Sequence, residues 1–199
     1  MFSKDVTVDK ILRGKISIIQ LKKGFRYGFE AVFLASFVNG YLKKFKKKTI
    51  SLADVGSGVG TISLIIAYHN NKINITAIEN NDNYLQIANE NILKNNFQKK
   101  INLMQGDIFN IDNDLMNRFD IVVTNPPFYD RKQKKSENEL DNYAKRIINY
   151  ESWIENSLKL LKDKGIIFLI IPTELLEKSL KILSTKTGSF KIFPIWPNQ

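Results

Sequence analysis

The sequence predicts an α/β fold built on a doubly wound, mostly parallel sheet, and two observations predict it. From residue 49 onward, short apolar runs alternate with segments whose apolar residues recur at helical spacing. The runs are apolar on both faces, which is typical of parallel strands that helices cover on both sides. Right-handed crossovers between such strands produce a doubly wound sheet.

Each element follows from its local pattern, beginning with an N-terminal extension that contains a strand over 15–20 and a helix with a basic end over 29–45. In the core, compact apolar runs predict strands at 50–55, 73–79, 101–105, 119–124, 165–171 and 190–195. Helical periodicity predicts helices at 61–69, 82–94, 153–161 and 175–183. The length of 199 residues suits one domain with a full core. We therefore expect a single domain over 1–199, with 1–48 as the extension and 49–199 as the core.

The composition limits the classes of partner. The net charge of +10 favours a polyanion, nucleic acid first, because lysine and arginine gain affinity by releasing condensed counterions. The alternative is coding bias, since lysine far outnumbers arginine, as AT-rich genes would produce. No apolar run reaches the roughly 18 residues that span a membrane, and no cysteine is present for a disulfide or a thiolate metal site. We predict a cytoplasmic monomer without a membrane segment or a bound metal.

A glycine-rich turn follows the first core strand and precedes a helix. Its spacing is Asp54-x-Gly56-x-Gly58-x-Gly60, in which the glycines permit a tight turn and let a ligand approach the backbone closely. Dinucleotide sites have the different spacing G-x-G-x-x-G. Asp54 would repel a pyrophosphate but attract a cation, and S-adenosylmethionine carries a sulfonium and an ammonium group. The alternative is a plain turn between a strand and a helix.

Two further carboxylates are predicted to hold the adenosine moiety of that cofactor. Glu79 ends the second core strand, where a carboxylate can accept both ribose hydroxyls, and Asn80 follows it. Asp107 follows the third strand, where it can accept a hydrogen bond from the exocyclic amine of adenine. Ile108 can then pack on the adenine ring. The alternative is that Glu79 is an ordinary surface acid.

The segment Asn125-Pro126-Pro127-Phe128 follows the fourth strand, at the edge where doubly wound sheets bind ligands. An amino nitrogen conjugated to a ring is a poor nucleophile, because its lone pair is delocalised. The Asn125 side-chain oxygen and the Pro126 carbonyl can accept its two hydrogens and direct the lone pair at a methyl group. Phe128 can stack on a planar base, which contributes about 1–3 kcal/mol. The alternative is a Pro-Pro turn that only ends a strand.

These residues resemble the motifs of the Rossmann-like class I S-adenosylmethionine-dependent methyltransferases, with the [N/D]-P-P-[Y/F] signature of the amino-methyltransferases. The stretch from Gly24 to Ala35, preceded by Gln20, resembles a bacterial family that N6-methylates the adenosine beside the anticodon of a valine tRNA. This resemblance covers about 9–197. It implies a cofactor site made of Asp54, Gly56, Gly58, Glu79 and Asp107. It also implies that the segment from Asn125 to Phe128 holds the target amine.

The sequence departs from that family in two features. Glu30 stands where the family usually has Asp. The resemblance also implies a last strand inserted antiparallel between strands five and six, yet only Trp196 to Gln199 follow the sixth predicted strand. We therefore expect the last strand to be missing from a truncated or shortened chain. The sixth strand would then lack its neighbour and leave an exposed sheet edge.

Basic residues near these motifs are candidate RNA contacts. Lys22, Lys23 and Arg26 lie beside the family-like stretch, and Arg131 and Lys132 lie in the long polar connection before the fifth strand. Such a connection is either a functional lid or a solvated loop. The lid interpretation has this loop order over RNA.

Three hypotheses about function remain open. The first is N6-methylation of an adenosine in RNA, with tRNA as the expected substrate and S-adenosylmethionine as the methyl donor. The second is a protein glutamine N5-methyltransferase that acts on a release factor, because that class shares the Asn-Pro-Pro turn. The third is a truncated, inactive domain that still binds RNA. The basic charge and the family-like N-terminal stretch favour the first over the second.

Overall fold

A computed structural model describes residues 5–23, 26–45, 49–127 and 150–196. The strands are β1 Val6–Ile11, β2 Ile16–Leu21, β3 Ile50–Val55, β4 Ile73–Glu79, β5 Ile101–Gln105, β6 Phe119–Thr124 and β7 Leu161–Leu169. The helices are α1 Phe29–Leu42, α2 Thr61–His69, α3 Asp82–Lys94, α4 Tyr150–Lys159 and α5 Leu176–Ser184. Single 3-10 turns occupy Ile108–Asn110, Asn113–Leu115 and Thr173–Leu175.

The central sheet has the strand order β5-β4-β3-β6-β7, and all its described pairings are parallel. The chain builds outward from β3 through β4 to β5, then returns to the other side of β3 with β6. This reversal is the switch point of a doubly wound sheet, and it opens a crevice at the carboxyl ends of β3 and β6. The predicted glycine turn and the Asn-Pro-Pro turn both begin at that crevice.

Alternating residues of the strands enter two separate cores. Leu52, Ile75 and Ile121 pack under α1, α2 and α3. Their neighbours Ala53 and Val122 pack on the opposite face, under α4 and α5. Helices thus cover both faces, which confirms the predicted fold class. It also explains why these strands have no polar face.

The hairpin β1–β2 is held to the core by two asparagine side chains, one within α3 and one at its C-terminal cap. Asn91 is fully buried, and its Oδ1 accepts from the Ile19 N–H at 2.6 Å while its Nδ2 donates to the Ile19 carbonyl at 2.9 Å. Asn95 makes the same pair of bonds to the N–H and carbonyl of Ser17. The amides therefore satisfy the outer edge of β2 as a neighbouring strand would. Asn91 Nδ2 also donates to the Val59 carbonyl, in the glycine turn.

Several predicted bounds were displaced. β1 was not predicted as a strand, and the helix predicted over 29–45 ends at Leu42. The helix predicted over 153–161 begins at Tyr150, and the strand predicted over 165–171 begins at Leu161. The beginning of β7 was not predicted, because its first residues include two lysines and an aspartate and the apolar run starts only at Ile166.

The prediction of a strand over 190–195 was wrong. Residues 190–196 form no strand, and Ile192, Phe193 and Trp196 are largely exposed. Pro194 interrupts this apolar run and cannot donate to a ladder. Among the described residues, β7 is therefore the edge strand of the sheet on this side.

Candidate active site

The turn between β3 and α2 requires glycine at three positions. Gly56, Gly58 and Gly60 have φ values of +70°, +56° and +86°, a region that residues with a Cβ rarely adopt. No heavy atom lies within 4 Å of the place where a Cβ of Gly58 would be. The turn thus presents bare backbone to an open space at the carboxyl edge of the sheet, which suits close approach of a ligand.

Gly56 also has a steric role. A Cβ there would lie 2.9 Å from Cζ2 of Trp153, whose indole is buried against the turn. The indole Nε1 donates to Thr124 Oγ1 at 3.0 Å, and that hydroxyl donates to the Val55 carbonyl at 2.8 Å. Trp153 therefore braces the carboxyl ends of β3 and β6 and cannot move aside without breaking this chain of bonds.

We expect Gly56→Ala to destabilise the protein by about 2 kcal/mol, because it combines a positive φ with a contact against a braced ring. Urea unfolding followed by circular dichroism measures this change. Gly58→Ala shares the positive φ but meets no neighbour, so it should cost about 1 kcal/mol. Equal losses for the two variants would contradict the steric role of Trp153.

Asp54 is the next-to-last residue of β3 and lies completely buried beneath the turn. Its Oδ2 accepts from the backbone N–H of Ser63 at 3.1 Å and from the Ser63 hydroxyl at 2.6 Å. Its Oδ1 has no partner among the described residues. Burial raises the pKa of Asp54 from 3.8 to about 7, although the two bonds from Ser63 lower it. A buried acid with an unsatisfied oxygen is suited to a cationic ligand.

This pKa shift predicts a pH dependence of stability without ligand. Because the folded pKa of Asp54 lies above its unfolded value, its favourable contribution is complete below about pH 4 and is lost as the pH rises through about 7. Asp54→Asn removes this titration. The stability of wild type relative to Asp54→Asn should therefore fall between pH 4 and pH 8 in paired urea titrations. A difference that stays constant across this range would contradict a buried, titrating Asp54.

Glu79 ends β4 and is held by backbone groups. Its Oε2 accepts from the Gly58 N–H at 2.8 Å, and its Oε1 accepts from the N–H groups of Asn80 and Asn81 at 2.9 Å each. Burial raises its pKa in spite of these bonds. Glu79 is 8% exposed, so it is not the surface acid of the alternative interpretation. The carboxylate links the glycine turn to the end of β4.

Asp107 and Ile108 follow β5 as predicted. Asp107 accepts from the Phe109 N–H at 3.0 Å and so caps the short 3-10 turn over Ile108–Asn110. Ile108 is buried, and the Phe109 ring packs edge-on against Trp153 with centroids 6.0 Å apart. The ends of β3, β4 and β5 thus present the predicted residues Asp54, Glu79 and Asp107 along one edge of the sheet.

Asn125, Pro126 and Pro127 follow β6 on the other side of the switch point, where they border an open groove. Thr124, directly before them, is fully buried and receives the Trp153 bond. The same indole that packs against Gly56 therefore fixes the origin of this turn. Phe128 lies outside the described residues.

The candidate RNA contacts have different environments. Lys22 and Lys23 are exposed directly after β2. Arg26 is about one-third exposed, and its guanidinium donates to Asp9 at 3.0 Å, to Thr7 Oγ1 at 2.9 Å and to the Leu21 carbonyl at 2.8 Å. Arg26 therefore ties β1 to the segment after β2. Arg131 and Lys132 lie outside the described residues.

Two buried hydroxyl groups at the glycine turn were not predicted as site residues. Ser57 Oγ and Thr61 Oγ1 are buried, and neither has a partner among the described residues. With Asp54 Oδ1 they make three unsatisfied polar atoms around one turn, and each costs free energy unless a ligand or water bonds it. The occurrence of serine and threonine within a glycine-rich turn is the sequence feature that could have predicted these two residues. This donor and acceptor set fits a polar cofactor with a cationic end.

Trp153 is buried in the core. Its contacts with Gly56 and Thr124 join the two candidate turns, which lie far apart in the sequence. Among the described residues, no cluster of three or more histidine, aspartate or glutamate side chains could hold a metal ion. None of the described helices is both long and apolar enough to cross a membrane.

The chain is similar to several known proteins. The model of the methyltransferase small domain family matches residues 38–193. A protein of Flavobacteriaceae bacterium strain 3519-10, named tRNA1(Val) (adenine(37)-N6)-methyltransferase, is 27% identical over 79% of this chain and 64% of its own length. A protein of the same name from Flavobacterium psychrophilum is 25% identical over 91% of this chain and 74% of its own. Other relatives with this name are covered over only about half of their length.

A similar solved structure is that of M. jannaschii TYW2 in complex with AdoMet. The two structures have a TM-score of 0.65 at 14% sequence identity, and the similar region covers 93% of this chain and 73% of the other chain. At that identity the likeness concerns the fold alone.

Proposed function

The chain belongs to the methyltransferase small domain family, and we propose that it transfers the methyl group of S-adenosylmethionine to N6 of an adenosine in tRNA. The observation that carries the proposal is the position of the Asn125-Pro126-Pro127 turn. It begins at the switch point, across from the glycine turn and braced with it by Trp153. The names of the relatives support adenine N6 as the acceptor and tRNA as the substrate.

The cofactor would lie along the edge formed by the ends of β3, β4 and β5. S-adenosylmethionine supplies an electrophilic methyl group on a sulfonium. In the proposal, Asp54 attracts the cationic end, while the bare backbone at Gly56, Gly58 and Gly60 allows close approach. Ser57 and Thr61 offer further hydroxyls to it. Glu79 and Asn80 would hold the ribose, and Asp107 and Ile108 the adenine.

Glu79 can accept from one ribose hydroxyl without giving up its backbone bonds. A carboxylate has about four lone-pair positions, and the described bonds from three N–H groups leave one of them open. Those bonds also fix the direction of the carboxylate before any ligand binds. Preorganisation of this kind reduces the cost of binding.

The target amine would lie against the Asn125 turn. The Asn125 side-chain oxygen and the Pro126 carbonyl accept its two hydrogens, so the nitrogen lone pair points at the methyl group. Phe128 would stack on the base. No strong base is needed, because the amino nitrogen becomes acidic as it gains the methyl group and can release its surplus proton to water. The rate then depends on alignment and on fixed dipoles.

RNA would approach from the side that carries Lys22, Lys23 and Arg26, with Arg131 and Lys132 as further contacts. We expect the protein to act as a monomer in the cytoplasm, where tRNA is modified.

Incubation with methyl-labelled S-adenosylmethionine and bulk tRNA tests the proposal. Label should appear in the RNA fraction, disappear with RNase and co-migrate with N6-methyladenosine after digestion. Label that enters a release factor and resists RNase would instead support the glutamine N5-methyltransferase. A folded protein that binds tRNA but no cofactor would support the inactive domain.

A further inference from the structure

Two phenylalanine rings stand side by side on the outside of α1. Phe29 is 81% exposed and Phe33 is 48% exposed, and their ring centroids are 6.5 Å apart. Residues separated by one helical turn lie on the same face. Adjacent exposed aromatic rings leave apolar surface in water, and such a patch marks a contact surface.

This pair lies at the level of the Asn125 turn. α1 runs against the strands, because its C-terminal end leads into the beginning of β3. Phe37 packs on Phe168 with centroids 5.9 Å apart, and Phe168 pairs with Val123. Phe33 lies about 6 Å further toward the carboxyl edge than Phe37, and Asn125 lies about 7 Å beyond Val123. Phe33 and Asn125 border the same open groove.

The charge beside the pair is suited to a polyanion. Lys22 and Lys23 are exposed at the end of β2, shortly before α1 begins, and the whole chain carries a net charge of +10. Three acids lie in this region: Glu30, whose carboxylate lies back over Gly28, Asp9, which is paired with Arg26, and Asp5, whose carbonyl accepts from the Lys22 N–H. A flat apolar surface next to basic side chains is the usual combination for unpaired nucleic acid.

We propose that Phe29 and Phe33 form a stacking platform for the unpaired RNA bases that flank the target adenosine. This inference rests on the proposed function. Sequence-specific RNA enzymes act mostly on single-stranded loops, whose bases can splay apart and stack on aromatic rings. Each ring takes one base, and the adjacent phosphates lie toward Lys22 and Lys23. The platform holds the neighbours of the target while the target itself enters the crevice.

The double variant Phe29→Leu with Phe33→Leu tests the platform, because leucine keeps the apolar bulk but removes the flat rings. The probe is a single-stranded RNA of about ten nucleotides with 2-aminopurine beside one adenosine. Stacking quenches 2-aminopurine, so wild type should lower its fluorescence and the leucine variant should not. We expect RNA binding about tenfold weaker, and a rise of similar size in KM for RNA rather than a fall in kcat.

Two controls separate stacking from other roles. Phe29→Tyr with Phe33→Tyr keeps both rings and should retain the quenching and the affinity. Tyr68→Leu removes an aromatic ring of 38% exposure at the far end of α2, beside His69. It should change neither RNA binding nor methyl transfer. Cofactor binding by every variant should equal that of wild type.

The outcomes distinguish this inference from the proposed function. Equal quenching and affinity in wild type and the leucine variant overturn the platform, even if tRNA is methylated. A change of oligomeric state in the leucine variant, with unaltered RNA binding, also overturns it, since the patch would then join two copies of the chain. Phenylalanine-dependent quenching without methyl transfer would uphold the platform and refute the proposed activity.

Discussion

Asn125→Ala is expected to reduce kcat for methyl transfer to tRNA about 100- to 1,000-fold, the effect of removing one preorganised dipole from a reacting group. Alanine removes the side-chain oxygen that would accept a hydrogen from the target amine. The nitrogen then keeps its lone pair delocalised into the ring. Single-turnover transfer of labelled methyl groups to tRNA measures the change.

The controls for this variant concern cofactor affinity and the acceptor itself. Trp153 packs against the glycine turn, so its fluorescence should report cofactor binding. The cofactor affinity of Asn125→Ala should differ from that of wild type far less than its rate of methyl transfer does. Asn125→Asp keeps an oxygen acceptor and should be more active than Asn125→Ala. If Asn125→Ala retained the wild-type rate, the side chain would have no part in orienting the amine.

Asn91→Ala is expected to lower the free energy of unfolding by about 3–5 kcal/mol. The substitution removes three hydrogen bonds made by a fully buried amide and leaves backbone groups of Ile19 and Val59 without partners. Each unsatisfied buried group costs about 1–3 kcal/mol. Urea unfolding at constant pH, followed by circular dichroism, measures the loss.

The matched control is Asn95→Ala, at the residue that caps α3 about one helical turn after Asn91. Asn95 bonds Ser17 in the same manner but is partly exposed, so water can replace its bonds at a cost of about 1 kcal/mol. A loss for Asn91→Ala no greater than for Asn95→Ala would contradict the role of Asn91 as the buried link between the hairpin and the glycine turn.

Local patterns predicted much of the core correctly. β3, α2, β4, α3, β5 and β6 have the predicted bounds, because each periodic segment is ended by glycine, asparagine or proline. The errors arose where tertiary pairing decides the structure. β7 begins among charged residues because Phe119 of β6 pairs with Leu161. The predicted strand at 190–195 had an apolar pattern, but its apolar residues pair with no strand.

The sequence predicted where the residues of the candidate site lie in the fold, but not which side chains contact one another. The positions of Asp54, Glu79, Asp107 and Asn125 in the sequence predicted that they lie at or just beyond the ends of four successive strands, and they lie there at β3 to β6. Nothing local indicates that Trp153 packs on Gly56. Such contacts join residues far apart in the sequence, so the local periodicity of the sequence cannot predict them. The functional roles of these residues stay predictions until variants are measured.

Mass spectrometry of tRNA nucleosides after incubation with S-adenosylmethionine carrying a deuterated methyl group tests the central claim most directly. Wild type should produce N6-methyladenosine with the deuterated mass, and Asn125→Ala should produce little of it in the same time. A folded wild-type protein that binds S-adenosylmethionine and tRNA, yet leaves no deuterated N6-methyladenosine, would contradict the account.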